Sequence, residues 1–160
     1  MTEKEVYDML IETGAILTGH FKLTSGKHSP HYVEKFNVLQ QPKYTEKLCQ
    51  AMAEHFKDAN IETVVGPVTG KALGTRAIFT ERVDGKMTFR RGFTLHEGER
   101  VLIVEDIVTT GGSVKEVIDV VKEFGGMPVA VSMLVDRSGG KVNFGEVPSY
   151  ALLHMDVETY

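Results

Sequence analysis

Two adjacent acids, Glu105 and Asp106, follow the apolar run Val101-Leu-Ile-Val and stand just before Thr109-Thr110-Gly111-Gly112-Ser113. Each part of that order has a chemical use. Glycines let backbone N–H groups converge on an anion, a helix that starts there adds the positive end of its dipole, and hydroxyls complete a cup for a phosphate. Carboxylates one step before the cup can accept hydrogen bonds from the vicinal hydroxyls of a sugar whose phosphate occupies it. The plainer alternative is a strand-to-helix turn with Ser or Thr as N-cap. Packing alone does not explain the acids, because burying unpaired charge is costly.

For the segment to work, a strand must deliver the acids and a helix must begin at the cup. Val101–Val104 is apolar at each position, which suits a strand covered on both faces of a parallel sheet. A helix over Ser113–Phe124 puts Val114, Val117, Ile118 and Val121 on one side and stops at Gly125-Gly126. Further β-rich runs are Thr63-Val-Val, Ala77-Ile-Phe-Thr, Val129–Val135 and Tyr150-Ala-Leu-Leu-His, so the class is α/β. Thr2 and Glu5 stand in capping-box register and open a short flanking helix that ends at Gly14. Pro42 opens another, with Tyr44, Leu48, Met52 and Phe56 on one face, ending near Asn60. Residues 15–35 read as irregular strands and loops, poor core material.

With 160 residues, 42% hydrophobic and 25% charged, the chain holds one core and one domain. A net charge of −4 argues against nucleic acid or an anionic membrane as partner. No long apolar run or basic-then-apolar leader stands in it, so the expected location is cytoplasmic. Cys49, the lone cysteine, falls in a helical apolar pattern and reads as a buried, inert thiol.

The stretch Val101–Ser113 resembles the signature of the type I phosphoribosyltransferases. The resemblance extends to the orotate branch through Thr13–Phe21, Leu23-Thr-Ser-Gly-Lys-His-Ser-Pro30, Val65-Gly-Pro-Val-Thr-Gly70, Arg76–Arg82 and Leu134-Val-Asp-Arg-Ser-Gly-Gly140. It implies a central, mainly parallel sheet flanked by helices, with a small N-terminal hood near residues 1–36 on a core of 37–160. It also implies transfer of ribose 5-phosphate from phosphoribosyl pyrophosphate (PRPP) to orotate, giving orotidine 5-monophosphate and pyrophosphate in pyrimidine (UMP) synthesis. In that reading Glu105 and Asp106 hold the ribose hydroxyls, and Ile107, Val108, Thr109, Thr110, Gly111, Gly112 and Ser113 surround the 5-phosphate. Gly66, Thr69 and Gly70 take the pyrophosphate, and Thr109 and Arg137 contact orotate. Mg²⁺ is held mainly through PRPP and water, with no dedicated protein ligands, and the protein is a homodimer.

Some residues carry a reading of their own. Orotate is a planar carboxylate, and Arg137 at a strand end offers a guanidinium fork for it; the alternative is a surface arginine paired with Asp136. The cation-rich segment Glu81–Arg91 suits a mobile loop closing over the leaving pyrophosphate, with Arg82 and Lys86 the favoured catalytic cations; the alternative is a solvated hairpin. Lys27 either reaches an anion or decorates a turn. Beyond His28 and His31, which flank Pro30 in a turn, the histidines show no metal-ligand spacing with Cys or acids and read as solvated polar residues. Only about ten residues separate the strand ending near Gly66 from that starting near Ala77, short for a parallel crossover. The family pattern has a helix there, so the expectation is a stretch left out between Gly70 and Lys71 rather than a natural deletion. The chain also has Thr24 where the family often has lysine, a shorter catalytic loop and an earlier C-terminus. A purine phosphoribosyltransferase would share the signature but not the N-terminal flank, and a non-catalytic PRPP-sensing regulator would need a basic face.

Overall fold

The structure is a computed structural model that describes residues 1–23, 25–66 and 73–156. Helix α1 (Glu3–Glu12) is followed by strands β1 (Ile16–Lys22) and β2 (His28–Val33), a short α2 (Phe36–Leu39) and α3 (Pro42–His55). Then come β3 (Thr63–Val65), β4 (Arg76–Ile78), the hairpin strands β5 (Thr80–Val83) and β6 (Lys86–Phe89), and β7 (Arg100–Val108). Helix α4 (Gly112–Glu123), β8 (Met127–Asp136) and β9 (Ser149–His154) complete the order. No helix among the described residues is long and apolar enough to cross a membrane.

Five strands form one sheet in the order β4-β3-β7-β8-β9, every neighbouring pair parallel. The alternation of a pleated strand explains the unbroken apolar run in β7. Leu102 and Val104 pack with Leu10, Leu48 and Met52 on the face covered by α1 and α3. Val101 and Ile103 face the other way, onto Val114, Val117, Ile118 and Val121 of α4. Each such side chain contributes about 1.5–3 kcal/mol by leaving water. The sheet held between two helical layers fixes where β7 ends, and hence where the acids stand.

Helix α1 has the capping box expected from Thr2 and Glu5, and its Val6 and Leu10 are fully buried, so it is a core element rather than a loose flank. Helix α3 starts at Pro42 but stops at His55, short of Asn60, because Phe56 leaves helical geometry (φ −108°, ψ 8°) while its ring stays buried. Strands β1 and β2 pair as an antiparallel hairpin whose register shifts between Thr18 and Phe21, so the irregular strands expected there are paired with each other. Among its described residues only Ile16 and Ser29 are buried, so the sequence carries no core-facing period there.

The β3–β4 pair is a true parallel neighbour pair, with Thr63 opposite Arg76 and Val65 opposite Ile78, although only ten residues join the two strands. Thr69, Gly70 and the Gly70–Lys71 junction lie outside the described residues, as does Thr24.

Candidate active site

Strand β7 runs through the acids and ends at Val108, so Glu105 and Asp106 belong to its carboxyl end rather than to the loop beyond it. The Asp106 N–H donates to Glu105 Oε1 (2.9 Å) and the Ile107 N–H to Asp106 Oδ1 (2.6 Å). Lys35, at the junction of hood and core, places its ammonium 2.7 Å from Asp106 Oδ2. Burial, followed by the hydrogen bond and charge of Asp106, pushes the Glu105 carboxyl up to about 7. Burial works the same way on Asp106, but hydrogen bonds with Glu105, Lys35 and the Ile107 N–H outweigh it and hold that carboxyl below its usual value. Burial and charge thus shift the two neighbouring carboxyls in opposite directions, and they titrate as a pair.

Beyond Val108 the chain turns into α4 at Gly111, the N-cap residue, with φ 84°. A Cβ there would lie 2.8 Å from Val142 Cγ2 and 3.0 Å from Phe144 Cε1, so both conformation and space demand glycine. The cap is therefore not the Ser or Thr of a plain turn. Thr109, Thr110 and Ser113 are exposed, their hydroxyls open to a ligand. Lys35 and residues 105–114 enclose a cavity of 320 Å³, which includes Ile107 and Val108 as expected. The Val108 side chain itself is buried in the core against α4.

Gly66 follows β3 beside this cup. Its φ is 138° and a Cβ would stand 2.5 Å from the Val104 carbonyl oxygen, so only glycine lets the chain pass β7 at that height. Gly66, Glu105 and Ser113 share the lining of a cavity of 150 Å³.

Arg137 follows β8, its N–H donating to the Val108 carbonyl at 2.8 Å, one residue before the cup begins. It is not paired with Asp136, whose carboxylate accepts from the Ser138 N–H (2.8 Å) and hydroxyl (2.6 Å). The Arg137 Nε is buried with no hydrogen-bond partner. Burial pushes the guanidinium below its ordinary value, and the nearby Tyr32 phenol works the other way. Tyr32, on hood strand β2, is a second residue the motifs did not single out, as Lys35 is.

The segment Glu81–Arg91 is a hairpin docked on α4. Arg82 makes two contacts with Glu116, at 3.0 and 3.1 Å, and Lys86 lies 3.8 Å from Glu123. Phe89 is buried and meets Phe124 edge-to-face at 5.1 Å. Both favoured cations are thus held along α4 rather than over the cup. Lys27 is exposed in the β1–β2 turn.

His96 does reach acids, which its sequence position hid. Its Nε2 is 2.6 Å from Glu62 and 3.3 Å from Glu99, in a group whose ligand atoms all lie within 4.8 Å. Arg76 also holds Glu99, at 2.9 Å. These residues flank the amino ends of β3, β4 and β7, the opposite end of the sheet from the cup.

A parallel sheet whose central strand ends in an acidic pair and a glycine-capped phosphate cup defines a sugar-phosphate transferase fold, and residues 62–144 match the model of the phosphoribosyl transferase domain. The chain is 53% identical to the orotate phosphoribosyltransferase of Desulforamulus reducens, over all of this chain and 88% of that one. It is 51% identical to that of Caldicellulosiruptor saccharolyticus, over 98% of this chain and 87% of the relative. It belongs to the orotate phosphoribosyltransferase family. The first alignment takes 169 positions for the 160 residues here, so at least nine have no counterpart in this chain. The solved orotate phosphoribosyltransferase of Aeropyrum pernix shares the fold, with TM-score 0.76 at 22% identity, covering 94% of this chain and 93% of that one.

Proposed function

We propose that the protein transfers ribose 5-phosphate from PRPP to orotate. The bond from the anomeric carbon to the pyrophosphate oxygen breaks and a bond to the orotate ring nitrogen forms, releasing pyrophosphate. The observation that carries this reading is Arg137, whose guanidinium is partly desolvated with Nε unpartnered and whose backbone N–H is tied to the Val108 carbonyl just before the cup. A planar carboxylate satisfies both its charge and its open donor, and a neutral purine does not.

Glu105 and Asp106 accept from the ribose hydroxyls, and the N–H groups and hydroxyls of Thr109–Ser113 hold the 5-phosphate. Gly66 stands beside the cup on the pyrophosphate side, and the parts of Thr69 and Gly70 in holding that group follow from the family resemblance. Thr109 lies between phosphate and base and serves both. Such a displacement passes through a cation-like sugar, so the work of the chain is to position both reactants and stabilise the departing charge. Arg82 and Lys86 serve the pyrophosphate once they leave Glu116 and Glu123. The carboxylates at the rim are hard oxygen donors, but Asp106 is already engaged by Lys35, so they form no closed ligand set. This suits Mg²⁺, a hard, strongly hydrated cation that needs few protein ligands and would supply positive charge to the departing pyrophosphate. The Glu62–His96–Glu99 group stands too far from the cup to serve it. The family resemblance supports a homodimer, which light scattering of the purified protein tests.

The deciding experiment incubates the protein with PRPP, Mg²⁺ and, separately, orotate, uracil, adenine and xanthine, and follows loss of each base. Orotate alone should be consumed. Consumption of a purine in place of orotate would overturn the assignment.

A further inference from the structure

A phosphate monoester brings about 1.5 to 2 negative charges to the cup at neutral pH. The rim already holds two carboxylates, and residues 105–114 contribute no cationic side chain. The helix end supplies roughly half a charge. One cation among the described residues lines the cavity, and it is Lys35. It comes from outside the signature, seventy-one positions before Asp106.

Its placement is built. Strand β2 ends at Val33, and the Lys35 carbonyl accepts from the N–H groups of Val38 (3.2 Å) and Leu39 (3.0 Å), which fixes its backbone at the head of α2. From there the side chain, 37% exposed, spans to Asp106 at 2.7 Å. An ammonium has three donors, so one can stay on Asp106 while another turns to an anion in the cavity.

We propose that Lys35 is a substrate-binding residue of the sugar-phosphate site: with the cup empty it holds Asp106 in place as the hydroxyl acceptor, and with the cup filled it shares its ammonium with the phosphate ester. The proposal rests on reading the cup as a ribose 5-phosphate site. It also gives the hood a part in binding the sugar, since the cation stands between β2 and α2 while the acid belongs to the core sheet.

The test is calorimetric titration of ribose 5-phosphate into the wild-type protein and Lys35→Met, Lys35→Gln and Lys35→Arg, without Mg²⁺ or turnover. Loss of a charge-assisted hydrogen bond predicts Kd raised about tenfold or more in Lys35→Met and Lys35→Gln, with Lys35→Arg keeping most of the affinity. In steady-state assays KM for PRPP should rise in the same two variants while KM for orotate stays within about twofold. Thermal melts identify any variant that does not fold, and the other neutral one then decides. Unchanged ribose 5-phosphate affinity in a folded neutral variant overturns the proposal, and so does an equal rise in KM for both substrates. A wild-type protein that binds no ribose 5-phosphate overturns the reading of the cup itself. One that binds it but leaves orotate untouched overturns only the base assignment.

Discussion

At the scale of single residues, the acid pair is a place where burial and charge act against each other. Glu105, raised from 4.5 to about 7, is protonated more readily in the folded chain than in the unfolded one. The stability this contributes is fully present below about pH 4.5 and is lost as pH rises through about 7. Asp106 is shifted the other way, so its contribution is present above its unfolded value of 3.8 and lost only at lower pH, outside that window. Glu105→Gln should therefore flatten the fall in Tm between about pH 5 and about pH 7.5. Coincident curves for the two proteins would show that burial does not raise this carboxyl. Arg137 makes a separate prediction. Arg137→Ala should raise KM for orotate by tenfold or more, on the order of a lost charge-assisted pair. KM for PRPP should stay nearly constant, and Arg137→Lys should not restore orotate binding, because an ammonium cannot reproduce the fork. Equal changes in both KM values would remove Arg137 from the base site.

Among the elements, the β5–β6 hairpin shows how one segment can be held by contacts of unequal weight. Phe89 is buried against Phe124, whereas the Arg82–Glu116 pair is solvent-exposed. Phe89→Ala should destabilise the protein by roughly 3–5 kcal/mol. Glu116→Gln should leave Tm nearly unchanged, because an exposed ion pair counts for little. Its effect should appear in turnover. Arg82→Ala should lower kcat by about a hundredfold if Arg82 stabilises the leaving pyrophosphate, while Glu116→Gln should raise kcat/KM for PRPP by releasing Arg82. An Arg82→Ala protein with wild-type kcat would end that role. The same contrast explains what could be read in the sequence. The acid pair, the cup and α4 lie within one continuous stretch, where strand pattern, glycines and helix period reinforce one another. Lys35 and Tyr32 come from other elements and have no local signature, and Arg82 reaches Glu116 of α4 only because the hairpin docks there; the parallel register and these dockings bring them in. The hood hairpin was illegible for a related reason, since a ribbon with few buried residues has no period to display.

For the whole molecule, the sheet separates two ends that carry opposite tasks. The carboxyl ends of β3, β7 and β8 gather Gly66, the acid pair, the cup and Arg137, while the amino ends of β3, β4 and β7 are tied by Glu62, Arg76, His96 and Glu99. In a parallel sheet every strand points the same way, so ligand-facing loops collect at one end and the other is free to be fastened. The fastening is partly titratable. The hydrogen bond to Glu62, then that to the Glu97 carbonyl, raises His96 above its ordinary value of 6.5. The stability it adds is fully present below about pH 6.5 and is lost as pH rises through the higher folded value. His96→Gln should thus lower Tm at about pH 6 and have little effect at about pH 9, with KM for PRPP and for orotate unchanged at either pH. A change in either KM would mean that the two ends of the sheet are coupled. A Tm difference that persists undiminished at about pH 9 would mean that His96 acts by packing rather than by charge.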